Sequence, residues 1–270
     1  MIEPGLYDDI SNEEYHSGPG VSKSALDIIH RSPAHYQASL LLPRTETPAM
    51  VIGTAIHAAV LEPETFEAKF VVAPEVNRRT NAGKEEWERF RYSALAAGMR
   101  MLTQEQYDAA RNVRDAVYAN RMAANLLCGG KAERSVYWNE VVDGAEVLCK
   151  CRPDYLREDG ICVDLKTTED ARSDHFIRSV VNYRYHVQAA WYERGIGEVL
   201  PAARDFVFLA VEKEPPYGTG IFTLPDDFID VGNYAAMADL RTFARCKAAD
   251  HWPCYAEEVQ VLEAPKWFKG

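Results

Sequence analysis

Apolar and polar residues alternate with two different periods along this chain, and the change of period predicts where strands give way to helices. Glu133 to Val142 and Ala145 to Leu156 are rich in β-forming residues. Between them stands Asp143-Gly144, a dipeptide suited to the positive-φ positions of a two-residue hairpin. A second Asp-Gly, at 159–160, turns the chain into Ile161 to Lys166, so the segment reads as a three-stranded meander. Phe206 to Glu212 and Gly220 to Leu224 read as further strands. Helical spacing marks Ala25 to Tyr36, which Ser22 or Ser24 can cap and Ser32-Pro33 interrupts. It also marks Gly53 to about Leu61, Lys84 to Ala97, Gln104 to Leu127, Asp174 to Gly195 and Asp226 to Ala249. Strands interleaved with helices predict an α/β chain with a mixed central sheet and helices on both faces. No internal repeat or linker divides it, so residues 1–270 are expected to form one domain.

Within the meander, Asp164 and Lys166 lie two apart on one strand and therefore share a face, while Leu165 points the other way into the core. Asp154, in Cys151-Arg152-Pro153-Asp154-Tyr155, falls near the end of the neighbouring strand and within reach of them. Two carboxylates and an ammonium in this arrangement suit a divalent cation with hard oxygen ligands, Mg²⁺ or Mn²⁺, and hydrolysis of a phosphodiester. An isolated Asp-x-Lys is common in surface loops, so the pattern needs its context. That context is His57 in Gly53-Thr54-Ala55-Ile56-His57, Glu133 at the head of the first strand, and Gln188 with Tyr192 one helical turn apart. Taken singly, each has an ordinary structural explanation.

Together, in the order His, Glu, Asp, Asp-x-Lys, Gln-x-x-x-Tyr, these residues resemble the PD-(D/E)xK nuclease superfamily and its restriction-endonuclease-like core. Tyr7-x-Asp9-Ile10-Ser11-Asn12-Glu13-x-Tyr15-His16, Val21-Ser22-Lys23-Ser24, Asn77 to Lys84, Lys166-Thr167-Thr168 and Tyr183 to Gln188 extend the resemblance to RecE-type (exonuclease VIII) nuclease domains. It reaches nearly the whole chain. The resemblance implies a Mg²⁺-dependent 5′→3′ exonuclease on linear double-stranded DNA that leaves 3′ overhangs for recombination with a RecT-type annealing protein. It assigns Asp154, Asp164, the Leu165 carbonyl and His57 to metal, Lys166 to catalysis, and Glu133 to a carboxylate that holds water at the metal. Gln188 and Tyr192 match a helical pair near the DNA strand. Arg78, Arg79, Ser22 and Ser24 are candidate contacts to the DNA backbone or its terminal phosphate, and a closed homo-oligomeric ring, trimer or tetramer, is implied. A RecB- or Cas4-like nuclease of other polarity, or a DNA-binding module without activity, are the alternatives.

Composition modifies this picture in three ways. A formal charge of −11 is unfavourable for DNA binding unless basic residues are gathered at the substrate, and Arg78-Arg79 with Lys84 is the best such cluster in sequence. The six cysteines lack the spacing of the iron–sulfur nucleases of the superfamily: none precedes His57 and only two fall late, so reduced packing thiols and no cluster are expected. No apolar run reaches the roughly 18 residues of a membrane span and no signal-peptide core follows Met1, which predicts a cytoplasmic protein that does not engage membrane. The tail carries Trp267 and Phe268, either docked on a neighbour or loosely attached.

Overall fold

The computed structural model describes residues 2–42, 47–200 and 205–264; the Trp267 and Phe268 tail lies outside them. The chain opens with β1 (Gly5–Tyr7) and α1 (Asn12–Ser17), the latter begun by a capping box in which Ser11 and Glu14 satisfy each other's backbone N–H groups. Ser22 caps α2 (Lys23–Arg31), and α3 (Pro33–Leu41) follows at once. Ser32 ends one helix and caps the next, and Pro33 has no N–H with which to continue the first. Next come α4 (Pro48–Leu61), α5 (Pro63–Lys69) and β2 (Phe70–Val72). They are followed by α6 (Asn81–Ala96), β3 (Arg100–Leu102) and α7 (Gln104–Ala119). α4 starts more than a turn before the expected Gly53, because Thr47 caps it and Pro48 occupies its first position. The helix expected over 104–127 is two: Asn120 stops α7 and its side chain accepts the Met122 and Ala123 N–H groups that start α8 (Arg121–Leu126).

β4 (Gly130–Ala132), β5 (Ser135–Val142), β6 (Ala145–Cys151), β7 (Tyr155–Arg157) and β8 (Cys162–Thr168) follow. The Asp143-Gly144 hairpin forms as expected, with φ of 51° and 82° at the two turn residues. The single meander does not. β5 and β6 pair with β1 in a three-stranded antiparallel sheet, whereas β4, β7 and β8 belong to a five-stranded sheet of order β10-β9-β8-β7-β4. The hairpin is therefore creased across two sheets, and its arms cross at residues 133–134 and 152–154. On one arm Glu133 takes a left-handed φ of 55°, and on the other Pro153 withholds the N–H that a continuous ladder would use.

α9 (Ser173–Asn182) and α10 (Tyr185–Val199) replace the one helix expected over 174–195. β9 (Phe206–Glu212), β10 (Thr219–Phe222) and α11 (Asp226–Ala249) complete the chain. In the larger sheet β8 and β9 run parallel, and every other neighbour pair is antiparallel. β2 and β3 form a separate parallel pair.

Alternation along the central strands divides the core. Cys162, Phe206, Phe208 and Ala210 face α9, α10 and α11, which bury Phe176, Val180, Trp191 and Leu240 there. Val163, Leu165, Leu209 and Val211 face α4 and α7, against Ile56, Ala59, Val113 and Val117. α10 also joins the two sheets: Trp191 meets Trp138 of β5 at 4.8 Å between ring centres, and a Cβ at Gly195 would stand 2.4 Å from the Trp138 ring. Among the described residues no helix is long and apolar enough to cross a membrane.

Candidate active site

Asp164 and Lys166 occupy the β8 face turned toward α10, as alternation requires. Asp164 is buried, and burial together with the Asp154 charge pushes its carboxyl up to about 6 against the pull of Lys166. The Lys166 ammonium lies 2.6 Å from Asp164 Oδ2. Burial works against its charge, but the Asp164 and Asp154 carboxylates outweigh that and hold it above its ordinary range. Gln188 ties the pair to α10: its Nε2 donates to Asp164 Oδ1 at 2.6 Å and its Oε1 accepts from Lys166 Nζ at 3.1 Å. The Tyr185 ring lies 4.6 Å from the ammonium, within cation–π range.

The facing wall is built from the two chain crossings. Glu133 N–H donates to the Asp154 carbonyl at 3.1 Å, binding one crossing to the other. Asp154 Oδ2 accepts the Leu165 N–H at 2.7 Å and stands 3.6 Å from His57 Nδ1, which α4 delivers. Because the N–H and C=O of a strand residue point to the same edge, the Leu165 carbonyl is directed toward this wall as well. His57, Glu133 and Asp154 each offer a ligand atom, all within 4.8 Å of one another. One imidazole and two carboxylates at that spacing fit a small divalent cation. The crowding is visible in Glu133, whose carboxyl is pushed up to about 7 by burial and then by the Asp154 charge, with Arg152 opposing. Asp164, expected among the metal ligands, lies outside this cluster and has Gln188 and Lys166 on its oxygens.

Both walls open on a cleft of about 820 Å³. Cations line it: Lys166 on the floor, Lys23 at the start of α2, where it pairs with Asp27 at 2.7 Å, and Lys150 and Arg152 from β6 and its crossing. Lys150 Nζ donates to the Tyr15 and Gly18 carbonyls at 2.6 and 2.7 Å, and Lys150 and Arg152 each lie 4.7 Å from the Tyr15 ring. Ser22, Ser24, Gln188 and Tyr192 line the cleft too. Arg78 and Arg79 do not. Arg78 stacks at 4.3 Å on Trp87, and the Arg79 N–H caps onto Asn77. The sequence reading missed Lys23, Lys150, Tyr15 and Tyr185 as site residues. Lys23 between two serines and Tyr185 three before Gln188 were the available signals. All six cysteines are free; Cys149, Cys151, Cys162 and Cys246 are buried, and Cys128 and Cys254 are exposed.

A chain from Eubacterium rectale, described as "Putative exonuclease", has a similar fold: TM-score 0.62, 13% identity, covering 95% of this chain and 94% of that one. SSO0001 (13% identity, 70% of this chain and 85% of that one) and Rai1 of Scheffersomyces stipitis (11%, 91% and 82%) align with TM-scores of 0.30 each. No curated protein matches the sequence significantly. A family model, "PDDEXK-like domain of unknown function (DUF3799)", matches residues 22–265. A mixed sheet flanked by helices, with Asp154 and the Asp164-x-Lys166 strand at its centre, agrees with that match, and the chain belongs to this PDDEXK-like family.

Proposed function

We propose that the protein is a divalent-metal-dependent deoxyribonuclease, a 5′→3′ exonuclease on linear double-stranded DNA that leaves 3′ overhangs for recombination. The observation that carries this reading is the His57, Glu133 and Asp154 cluster beside the Asp164–Lys166 pair, with Glu133, Asp154 and Lys166 lining one cleft. Mg²⁺, or Mn²⁺ in its place, held by His57, Glu133 and Asp154 would polarise the scissile phosphate and activate water. Lys150, Arg152 and Lys23 attract the phosphate backbone into the cleft. Gln188 and Tyr185 fix Lys166 so that its ammonium meets the phosphate without reorganising. Ser22 and Ser24, at the start of α2, are placed to hold a strand end. The fold likeness to the Eubacterium rectale chain favours an exonuclease among nucleases. The resemblance to RecE-type domains supports a RecT-type annealing partner and a trimeric or tetrameric ring, which would keep an acidic chain on its substrate by topology.

The test is a linear 5′-phosphorylated duplex carrying distinct labels at the 5′ and 3′ ends of one strand, with Mg²⁺ and with EDTA. Release of the 5′ label ahead of the 3′ label, only with metal, is the expected result. A duplex left intact with both Mg²⁺ and Mn²⁺ refutes the reading, and release from the 3′ end first reverses the polarity. Light scattering should give three or four times the 30.4 kDa chain mass; a single-chain mass during processive degradation overturns the ring.

A further inference from the structure

Behind Lys166 and Tyr185 lies a second cavity, about 230 Å³, and these two residues border both it and the main cleft. They form the partition between the two spaces. On its far side the cavity has features that nothing in the proposed hydrolysis uses. Tyr183, a residue 63% exposed, stands beside Tyr185 with ring centres 5.6 Å apart. Lys213, from the end of β9, presents an exposed ammonium that makes no ion pair among the described residues. Ser179 adds a hydroxyl to the lining, while the Thr168 hydroxyl is spent on the Asp170 backbone. Glu169, one position beyond the Thr168–Glu212 pair and so beside Lys213, also borders the cavity, leaving Lys213 and Tyr183 to take a phosphate and its base.

An exposed aromatic ring beside a cation is how proteins hold single-stranded nucleic acid: the ring stacks a base and the cation takes the phosphate. The cavity is too small for a duplex and of the scale of one nucleotide. We infer that it is a single-strand subsite, which takes the nucleotide next to the scissile phosphate by stacking its base on Tyr183 and seating its phosphate against Lys213. This rests on the nuclease reading above and deepens it: a strand lying through the main cleft continues past Lys166 only after leaving its complement. Duplex is then parted at the partition, and the strand being cut is gripped on both sides of the reacting bond.

The experiment is fluorescence anisotropy of a labelled twelve-nucleotide oligothymidylate, with Ca²⁺ in place of Mg²⁺, on the full chain and on Tyr183→Ala, Tyr183→Phe and Lys213→Ala. Both altered positions are exposed, and equal melting temperatures verify the fold. Tyr183→Ala should weaken single-strand binding by about tenfold, the scale of one stacked base, while Tyr183→Phe retains it. Lys213→Ala should lower the slope of log affinity against log salt by about 0.7, one phosphate contact on a single strand. Unchanged affinity in Tyr183→Ala, or an unchanged slope in Lys213→Ala, overturns the subsite. Cleavage of linear duplex by the unmodified protein is scored separately, so loss of the nuclease reading is seen independently of loss of the subsite.

Discussion

The two carboxylates at the centre of the cleft, Asp154 and Asp164, are neighbours in space and opposites in construction. Asp164 sits within a regular strand, buried, with an ammonium and an amide already on its oxygens. Asp154 sits where the chain leaves one sheet for another, close to a second carboxylate and with one imidazole near it. The floor of the site carries its own cation on Asp164, whereas the wall crowds two carboxylates beside a single imidazole. The ion-paired carboxylate and the candidate metal-holding cluster are thus built on different parts of the backbone.

Removing Lys166 should break the contrast most severely. Lys166→Ala takes away a charge at the reacting phosphate and leaves Asp164 buried without its cation. Nuclease turnover should fall by about 10²–10³-fold, and the urea midpoint should drop by the equivalent of about 3–5 kcal/mol. An unchanged midpoint would show that the floor is not held by this pair. Asp154→Ala should abolish comparable activity but cost less stability, about 1.5–3 kcal/mol, since one hydrogen bond from the Leu165 N–H is lost and the crowding with Glu133 is relieved.

Metal should sharpen the difference. At Mg²⁺ about one hundred times its dissociation constant the protein should gain roughly 2.7 kcal/mol by linkage. The rise in melting temperature should vanish in His57→Ala and Glu133→Gln and persist in Gln188→Ala. Persistence in the first two would move the metal off the wall.

A smaller effect follows from pH. The Glu133 and Asp164 carboxyls titrate higher in the folded chain, at about 7 and about 6, than the ordinary 4.5 and 3.8. A raised carboxyl favours the protonated folded state, so its stabilisation is complete below the ordinary value and is lost as pH climbs through the folded one. In EDTA the melting temperature should therefore decline from about pH 4.5 to 7.5, and Mg²⁺ should flatten the decline. A flat profile in EDTA would show that neither carboxyl is strained. Smallest of all, Glu133→Gln in EDTA at pH 8 should melt slightly higher than the unmodified chain; a lower melting point would mean that Glu133 is stabilised by Arg152 more than it is repelled by Asp154.

Local chemistry made part of this legible in advance. Asp143-Gly144 marks its hairpin, Ser32-Pro33 its helix break, and Asp164-x-Lys166 its shared face, because each depends on adjacent residues alone. The crease at 133–134 and 152–154 was hidden because a strand pattern does not reveal which sheet a strand joins. The break before α10 was hidden for a similar reason. Arg184 is neither glycine nor proline, yet its φ is 55°, and the ion pairs at that position run to Asp27 in α2 and Asp239 in α11. Tertiary partners hold that turn, and a window along the sequence does not contain them. The cleft cations escaped notice because Lys23, Lys150 and Arg152 are dispersed in sequence and converge only in the fold, whereas the conspicuous Arg78-Arg79 pair does not line the cleft.

The creased hairpin carries a mechanical consequence. Glu133 and Asp154 are the two pins of a joint between the sheets, fastened to each other by one backbone hydrogen bond, while Asp164 and Lys166 are bolted to the larger plate. Rocking one plate against the other would strain the 2.7 Å hydrogen bond from Leu165 N–H to Asp154 that ties wall to floor. The spacing of wall and floor is therefore set by what fastens the joint, the Trp138–Trp191 contact packed against Gly195 and the Arg194–Glu140 ion pair among them.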